Sequence, residues 1–334
     1  MADAAKAPSI LDVARAAGVS TATVSRVLNG KDTVNVALAE RVRRAVEATG
    51  YVPNVTGRAL RRQVSDVWAA IVPDIQNAFF TGVIASLEAV ANRNGYSVML
   101  FNTDEKLDQE ARYVEAVVSQ RLAGVVMAAD SEQHSDISPI LQAGIPLVLF
   151  DRRLQGYQGD AVLVDNMEAG RKVARHLAKQ GYKRIACIAG PPDVSTTEDR
   201  LTGLREELAV AGLDLDPALV RRSNLKFEGG EIALRSLMGA SPLPDAVYVA
   251  NGPITAGAFR ASQELGLRLP EDLALVGTDD DQWTRMVRPA VTVVAQPVAR
   301  IGLLAGECLV ARSQGTANGQ PIILAPTLLV RDSS

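Results

Sequence analysis

Beyond residue 65 the chain repeats one pattern: a short apolar run, a polar loop, then an amphipathic stretch at helical spacing. "DVWAAIVPD", "YSVMLFN", "LAGVVMAA", "IPLVLFD", "RIACIAG", "DAVYVAN", "LALVGTD" and "VTVVAQP" read as short buried strands. Residues 79–94, 107–120, 167–180 and 197–211 read as helices between them. Alternating strands and helices predict an α/β body of doubly wound parallel sheets, with ligand sites beyond the carboxyl ends of the strands. On its residues alone such a body admits an enzyme, a nucleotide binder or a sugar receptor.

The strand ends carry polar and aromatic groups. "DIQNAFF" follows the first strand and "FDRR" another; "STTEDR" lies in the loop after "RIACIAG"; "VAN", "GTDD" and "VAQP" close three more. Carboxylates and amides bond vicinal hydroxyls, arginine forks across two oxygens, and aromatic faces stack on the C–H side of a sugar ring. Trp283 fits either a pocket wall or a loop anchor.

Catalysis finds less support. His134 in a polar loop and His176 on the polar face of a helix have no nucleophile partner. There is no G-x-S-x-G, Walker A, G-x-G-x-x-G or metal-ligand cluster, and "AGPPDVS" lacks the lysine and glycines of a phosphate cradle. No enzyme activity, cofactor or metal is expected. Cys187 and Cys308 lie far apart and read as buried reduced thiols of a cytoplasmic protein. No apolar run approaches the roughly 18 residues of a membrane span, and "MADAAKAPS" lacks the apolar stretch of a secretory signal.

Charge divides the chain. Residues 1–62 carry a net +5 and the remainder −8. A basic head on an acidic body predicts a polyanionic partner for the head alone. The head also has a helix pattern. "SILD" is a capping-box signature, with Ser9 and Asp12 at its ends, and Gly18 can turn the chain. Ser20 then caps a second helix from residue 21 to 28, and a third runs from about 36 to 48 between Asn35 and Gly50. Two short helices joined by a glycine turn, with a third to bury their apolar stripes, describe a helix-turn-helix. The second helix shows Thr21, Ala22, Ser25 and one long cation, Arg26, opposite Val24, Val27 and Leu28. Small residues allow close approach to a major groove, and Arg26 can reach guanine O6 and N7.

"LDVARAAGVSTATVSRVLNG" followed by "YVPNVTGRALRR" resembles the lactose-repressor (LacI/GalR) family of bacterial transcription regulators, and the resemblance extends almost to the end of the chain. It implies a helix-turn-helix at 8–52, a hinge helix at 53–64 and an effector-binding and dimerisation domain at 65–332. Its N-subdomain would span about 65–162 and 295–322, and its C-subdomain about 163–294 and 323–332, like periplasmic sugar-binding proteins. By resemblance Thr21, Ala22 and Arg26 read base edges, while Ser20, Thr23 and Ser25 touch phosphates. Asn29, Asn54, Arg58, Ala59 and Arg61 join the DNA contacts, and Leu60 wedges into the central base step of the minor groove. Resemblance to the ribose-type members places Asn77, Phe79, Phe80, Asp151, Arg152, Arg200, Phe227, Asn251, Asp279 and Gln296 at sugar-contacting positions. Phe79 or Phe80 taken singly fits a core, and Asp151 with Arg152 fits a structural ion pair. Gly57 and Gly252 depart from the family pattern, which has alanine and aspartate there.

The resulting expectation is a homodimeric repressor of a near-palindromic operator, controlled by a pentose or hexose. The ending "LLVRDSS" has no leucine-heptad tail, so no tail-mediated tetramer is expected. A purine, nucleoside or phosphoprotein co-repressor is the alternative signal, and a sugar-metabolising enzyme the most distant reading.

Overall fold

The computed structural model describes residues 8–28, 34–51 and 65–334. They form two units, Met1–Val64 and Ser65–Ser334. In the first, α1 (Ile10–Ala17), α2 (Thr21–Leu28) and α3 (Val36–Thr49) enclose Val13, Ala14, Ala17, Val24, Val42 and Ala45. Burying a valine contributes about 1.5–3 kcal/mol, so three valines and three alanines make a small core. Its turns are correspondingly well fixed. The Asp12 carboxylate accepts from the Ser9 amide at 2.9 Å and the Ser9 hydroxyl at 2.6 Å. Gly18 ends α1 at φ 62°, and Arg41 on α3 donates to the Ala17 carbonyl at 2.6 Å. The left-handed backbone favours glycine there, and a Cβ would lie 2.9 Å from that guanidinium and displace its end. Asn35 caps α3 by accepting from the Ala37 amide at 2.9 Å.

The second unit contains two six-stranded sheets. The N-lobe sheet is built from β1 (Val67–Val72), β2 (Ser97–Asn102), β3 (Gly124–Met127), β4 (Leu147–Phe150), β5 (Ala161–Val164) and β11 (Pro321–Leu324). Their order is β11-β5-β4-β3-β1-β2, parallel throughout. Around it lie α4 (Ala78–Arg93), α5 (Leu107–Ser119), the short α6 (Ser138–Gln142) and α12 (Val298–Ser313). The C-lobe sheet is built from β6 (Ile185–Ala189), β7 (Val220–Arg222), β8 (Ala246–Val249), β9 (Ala274–Thr278), β10 (Thr292–Ala295) and β12 (Thr327–Leu329). Its order, β12-β10-β9-β8-β6-β7, repeats that of the N-lobe position by position. Its helices are α7 (Asn166–Gln180), α8 (Ser195–Val210), α9 (Phe227–Leu237), α10 (Gly252–Glu264) and the short α11 (Gln282–Met286).

Central strands are buried on both faces. Trp68, Ala70 and Val72 of β1 join the core with α4 and α12, while Ala69 and Ile71 join the opposite one. This is the two-residue period of a strand between two helical layers. The chain passes between the lobes after β5, after β10 and after β11. The last passage has only two residues, 325 and 326, and no crossover helix. It enters the C-lobe at the strands' carboxyl ends, so β12 must run back antiparallel to β10, with Leu329 opposite Val293. The sequence pattern signalled neither this reversal nor β5, β7, β11 and β12. His176 also differs from expectation: it is buried on α7, with Nε2 2.9 Å from the Ser334 hydroxyl. Cys187 is buried and Cys308 half-buried, both as free thiols. Among the described residues no helix is long and apolar enough to cross a membrane.

Two glycines set the crossing of α7 on α8. A Cβ on Gly170 would meet the Arg200 carbonyl oxygen at 2.0 Å, and one on Gly203 the Met167 carbonyl oxygen at 2.0 Å. The backbones touch, which brings Arg200 of α8 over Asn166 at the start of α7. Overpacking of this kind typically costs about 1–3 kcal/mol. Gly203→Ala is therefore expected to lower the urea midpoint of the Ser65–Ser334 unit by a corresponding amount. A midpoint unchanged within error counts against this crossing.

Candidate nucleic-acid interface and ligand cleft

On α2 the apolar stripe faces inward, and Ser20, Thr21, Ala22 and Arg26 are exposed, with Thr23 and Ser25 half-buried. The Ser20 hydroxyl accepts from the Thr23 amide at 3.2 Å and lies 2.9 Å from the Thr23 hydroxyl, which fixes the first turn. Arg26 makes no hydrogen bond or ion pair among the described residues. The exposed face is thus three small side chains and one long cation, a surface a groove can approach closely. Asn29, Asn54, Arg58, Ala59, Leu60 and Arg61, together with Gly57, lie outside the described residues.

In the second unit the strands of both lobes end at one cleft. The matched strands β4 and β9 are each followed by an aspartate with a left-handed backbone: Asp151 at φ 61° and Asp279 at φ 70°. Each donates its amide to the neighbouring strand, Asp151 to Val162 at 3.0 Å and Asp279 to Val294 at 2.9 Å. Left-handed non-glycine residues cost on the order of 1–3 kcal/mol and cluster where geometry serves a ligand. Gln296 donates from Nε2 to Asp279 Oδ1 at 2.7 Å. Arg200, buried, donates from Nε to Asn166 Oδ1 at 2.8 Å and from Nη1 to the Ala250 carbonyl at 2.8 Å. Burial pushes the Asp279 carboxyl up to about 6, against the opposing pull of Arg200 and Gln296. Burial likewise raises Asp151, while Arg152 and Arg200 draw it down. Asn251 follows β8, and its Oδ1 is buried without a partner, as is Gln296 Oε1.

Toward the mouth lies a cavity of about 640 Å³ lined from the N-lobe by Asp74, Gln76 and Ala78, and from the C-lobe by Phe227, Gly252, Trp283 and their neighbours. Trp283 does both things its sequence position allowed: it walls the cavity and packs on Phe259 at 5.6 Å. Lys226 bridges the mouth, donating to Asp74 at 2.8 Å and to Asp104 at 2.9 Å.

Of the ten sequence-predicted effector positions, Asp151, Arg152, Arg200, Asn251, Asp279 and Gln296 gather at the strand ends, and Phe227 lines the cavity. Phe227 is the one of the ten that lines it; Asp151, Arg152, Arg200, Asn251, Asp279 and Gln296 do not, nor do Asn77, Phe79 and Phe80. Asn77 caps α4 by accepting from the Phe79 amide at 3.0 Å, and both phenylalanines are core residues of the N-lobe. An amphipathic helix starting at Ala78 has to turn those rings inward, and Phe80 meets Phe150 edge-on at 6.1 Å. Arg152 is paired chiefly with Glu105, at 2.7 and 2.8 Å, and sits 3.9 Å from Asp151. Glu105, Asn166, Lys226, Asp74, Asp104 and Asp130 were missed, although "VPD" and "NTDE" placed carboxylates beyond apolar runs as plainly as "FDRR" did.

No group of three or more His, Cys, Asp or Glu is placed to hold a metal among the described residues. A three-helix DNA-reading head joined to a two-lobed, parallel-sheet ligand receptor defines a class: DNA-binding transcription regulators. The comparisons agree. A profile described as "Bacterial regulatory proteins, lacI family" matches residues 9–54, and one described as "Periplasmic binding protein-like domain" matches 174–334. The Ribose operon repressor of Haemophilus influenzae is 31% identical over 96% of this chain and 97% of its own. The transcriptional repressor CytR of Escherichia coli is 33% identical over 92% and 91%. The solved transcriptional regulator CelR–cellobiose complex superposes with a TM-score of 0.75 at 31% identity, covering 98% of this chain and 100% of that one. The chain belongs to the LacI family of bacterial regulatory proteins, and it is a regulator, not an enzyme.

Asp130 shows what the cleft costs the fold. Its Oδ1 accepts from the Thr103 hydroxyl at 2.6 Å, but Oδ2 is buried without a partner. Burial, with Glu110 and Glu105 nearby, raises the carboxyl to about 7 against the Thr103 hydrogen bond. The folded state therefore holds this proton more tightly than the unfolded chain, so stability falls as pH rises from about 4 to about 7. Asp130→Asn keeps the Thr103 bond and removes the charge. It is expected to stabilise the protein by about 1–3 kcal/mol at pH 8, with the gain vanishing toward pH 4. Melts across that range read it directly, and a gain independent of pH counts against the assignment.

Proposed function

We propose that the protein is a repressor that reads a near-palindromic operator as a homodimer and responds to a small polyhydroxylated effector bound between the lobes of its second unit. Thr21, Ala22 and Arg26 contact base edges; Ser20, Thr23 and Ser25 contact phosphate. Asn29, Asn54, Arg58, Ala59, Leu60 and Arg61 complete the DNA contacts from the segments flanking the head's helices. The working compartment is the cytoplasm, where operator and effector meet.

One observation carries the effector reading: Asp151, Arg200, Asn251, Asp279 and Gln296, drawn from both lobes, converge on one cleft with amide oxygens left without donors. Carboxylate, guanidinium and carboxamide groups in one place suit adjacent hydroxyls better than a flat base. Phe227 and Trp283 supply apolar faces for the C–H side of a ring. The names of the relatives point the same way, with a ribose operon repressor and a CelR–cellobiose complex among them. Asn77, Phe79 and Phe80 act from behind the cleft wall, by holding the first turn of α4.

A thermal-shift screen of the full chain against pentoses, hexoses, disaccharides and nucleosides tests the effector class. For the ligand found there, Arg200→Ala is expected to reduce affinity at least tenfold, because Asn166 Oδ1 and the Ala250 carbonyl lose their donor. Effector-free operator binding should stay within about twofold, since Arg200 lies outside the DNA-reading unit. Unchanged ligand affinity removes Arg200 from the site.

For the head, binding-site selection from random duplexes supplies the operator. Arg26→Ala is then expected to cost about 1–3 kcal/mol on it and to relax preference at one base pair per half-site. Equal losses on selected and scrambled duplex would rule out base reading by Arg26.

A further inference from the structure

A protein holds an anion with arginine or lysine donors, or with the first amides of a helix. In this cleft most such groups are already matched to an oxygen of the protein itself; an exception is Arg152 Nε, buried without a hydrogen-bond partner and 3.9 Å from Asp151 Oδ2. Arg152 directs Nη1 and Nη2 to Glu105, and Nη1 also to the Ala129 and Asp130 carbonyls at 3.3 and 3.2 Å. Lys226 is shared between Asp74 and Asp104, and Arg153 between Asp199 and Glu132. Arg200 is bonded through Nε and Nη1, and its charge faces both Asp151 and Asp279. The cavity itself is lined by Asp74, Glu228, Asp280 and Asp281 against a single cation, Lys226.

Of the helix termini at the cavity, that of α9 carries the Glu228 carboxylate in its own uncapped first turn, and that of α10 is filled. Gly252 and Pro253, the first residues of α10, line the cavity, and Pro253 has no amide proton to offer. A Cβ on Gly252 would fall 2.8 Å from Asp279 Oδ2. The absence of a side chain at 252 therefore lets the Asp279 carboxylate stand against the first residue of α10, where a ligand anion would otherwise sit.

An uncharged, hydroxyl-rich ligand meets the opposite situation. Asn251 Oδ1 and Gln296 Oε1 are buried without partners, and no hydrogen bond among the described residues reaches Asp279 Oδ2. Three neighbouring oxygens lack donors. Hydroxyls supply donors, whereas the phosphate of an ester and the carboxylate of a sugar acid bring only acceptors and like charge.

Building on the polyhydroxylated-effector reading, we infer that the cleft selects an electrically neutral ligand, a free sugar or a nucleoside, and rejects its phosphate ester or acid. Gly252 is the residue that makes this possible, because it leaves the anion position to Asp279.

Calorimetric titration of the full chain tests this with paired probes at one salt concentration. The pairs are D-ribose and D-ribose 5-phosphate, D-glucose with glucose 6-phosphate and gluconate, and cytidine with cytidine 5′-monophosphate; cellobiose is a further neutral probe. The member that binds separates a sugar from a nucleoside. The neutral form is expected to bind tighter than its charged counterpart by about tenfold or more. Asp279→Asn should compress that ratio to within about threefold by improving the charged partner relative to the neutral one. Glu228→Gln, at an exposed rim position, should compress it in the same direction and remains informative if the buried variant fails to fold. A charged probe binding as tightly as its neutral parent, or a ratio unmoved in both variants, overturns the inference and leaves the polyhydroxylated-effector reading standing. Binding by no probe of either kind overturns that reading and the inference with it.

Discussion

The lobes are joined by three passages of chain, and two of them carry the groups on which the cleft depends. Asn166 stands just past the first passage and orients Arg200 through a 2.8 Å hydrogen bond. Gln296 stands in the second and holds Asp279 at 2.7 Å. Asp165, at the first passage, donates its amide to Leu324 at the entrance of the third, at 2.9 Å, so the passages are tied to one another. A ligand that pulls on Asp279 or Arg200 therefore pulls on the joints themselves. Differential affinity for two arrangements of those joints is what lets a ligand shift a conformational equilibrium.

Electrostatics divides the labour. The net +5 of residues 1–62 and −8 of the remainder are separated by function: one surface for a polyanion, the other for a cleft with its cations largely matched internally. Every arginine drawn into the cleft arrives with a carboxylate or a carbonyl, as burial of a charge requires. The fold tolerates this because the partners lie on the strand-end loops of the same lobe, or directly across the gap.

The parts of this architecture legible in the sequence were those with local causes. The head's helices follow from Ser9, Asp12, Gly18, Asn35 and Gly50, each acting within a turn of its own position. Of the eight strands legible there, the seven central ones follow from double-sided burial, and the edge strand β2 from its apolar run alone. The strands β7, β11 and β12 were not legible, because they are short edge strands, half-exposed or polar, as in Val220–Arg222; β5, as short and nearly as buried as β3 and β4, was not read either. The site divides in the same way. Asp151, Asn251 and Asp279 announce themselves as polar residues ending apolar runs. Glu105 with Arg152, and Lys226 with Asp74, are separated by 47 and 152 residues, and only the assembled sheets bring them together. Phe79 and Phe80 carried a resemblance to contact residues, yet helical periodicity from Asn77 sends both rings into the core.

The left-handed backbone at Asp151 and Asp279 has a further consequence, for how such a sensor can diversify. Among side chains, aspartate and asparagine enter that region most readily, and glycine enters it freely, while branched or bulky residues do not. These two strand-end positions are therefore confined to a very small alphabet. New ligand preferences in this scaffold must be written around them, at places with ordinary backbone such as 252, where exchanging one side chain alters the reach of a fixed carboxylate.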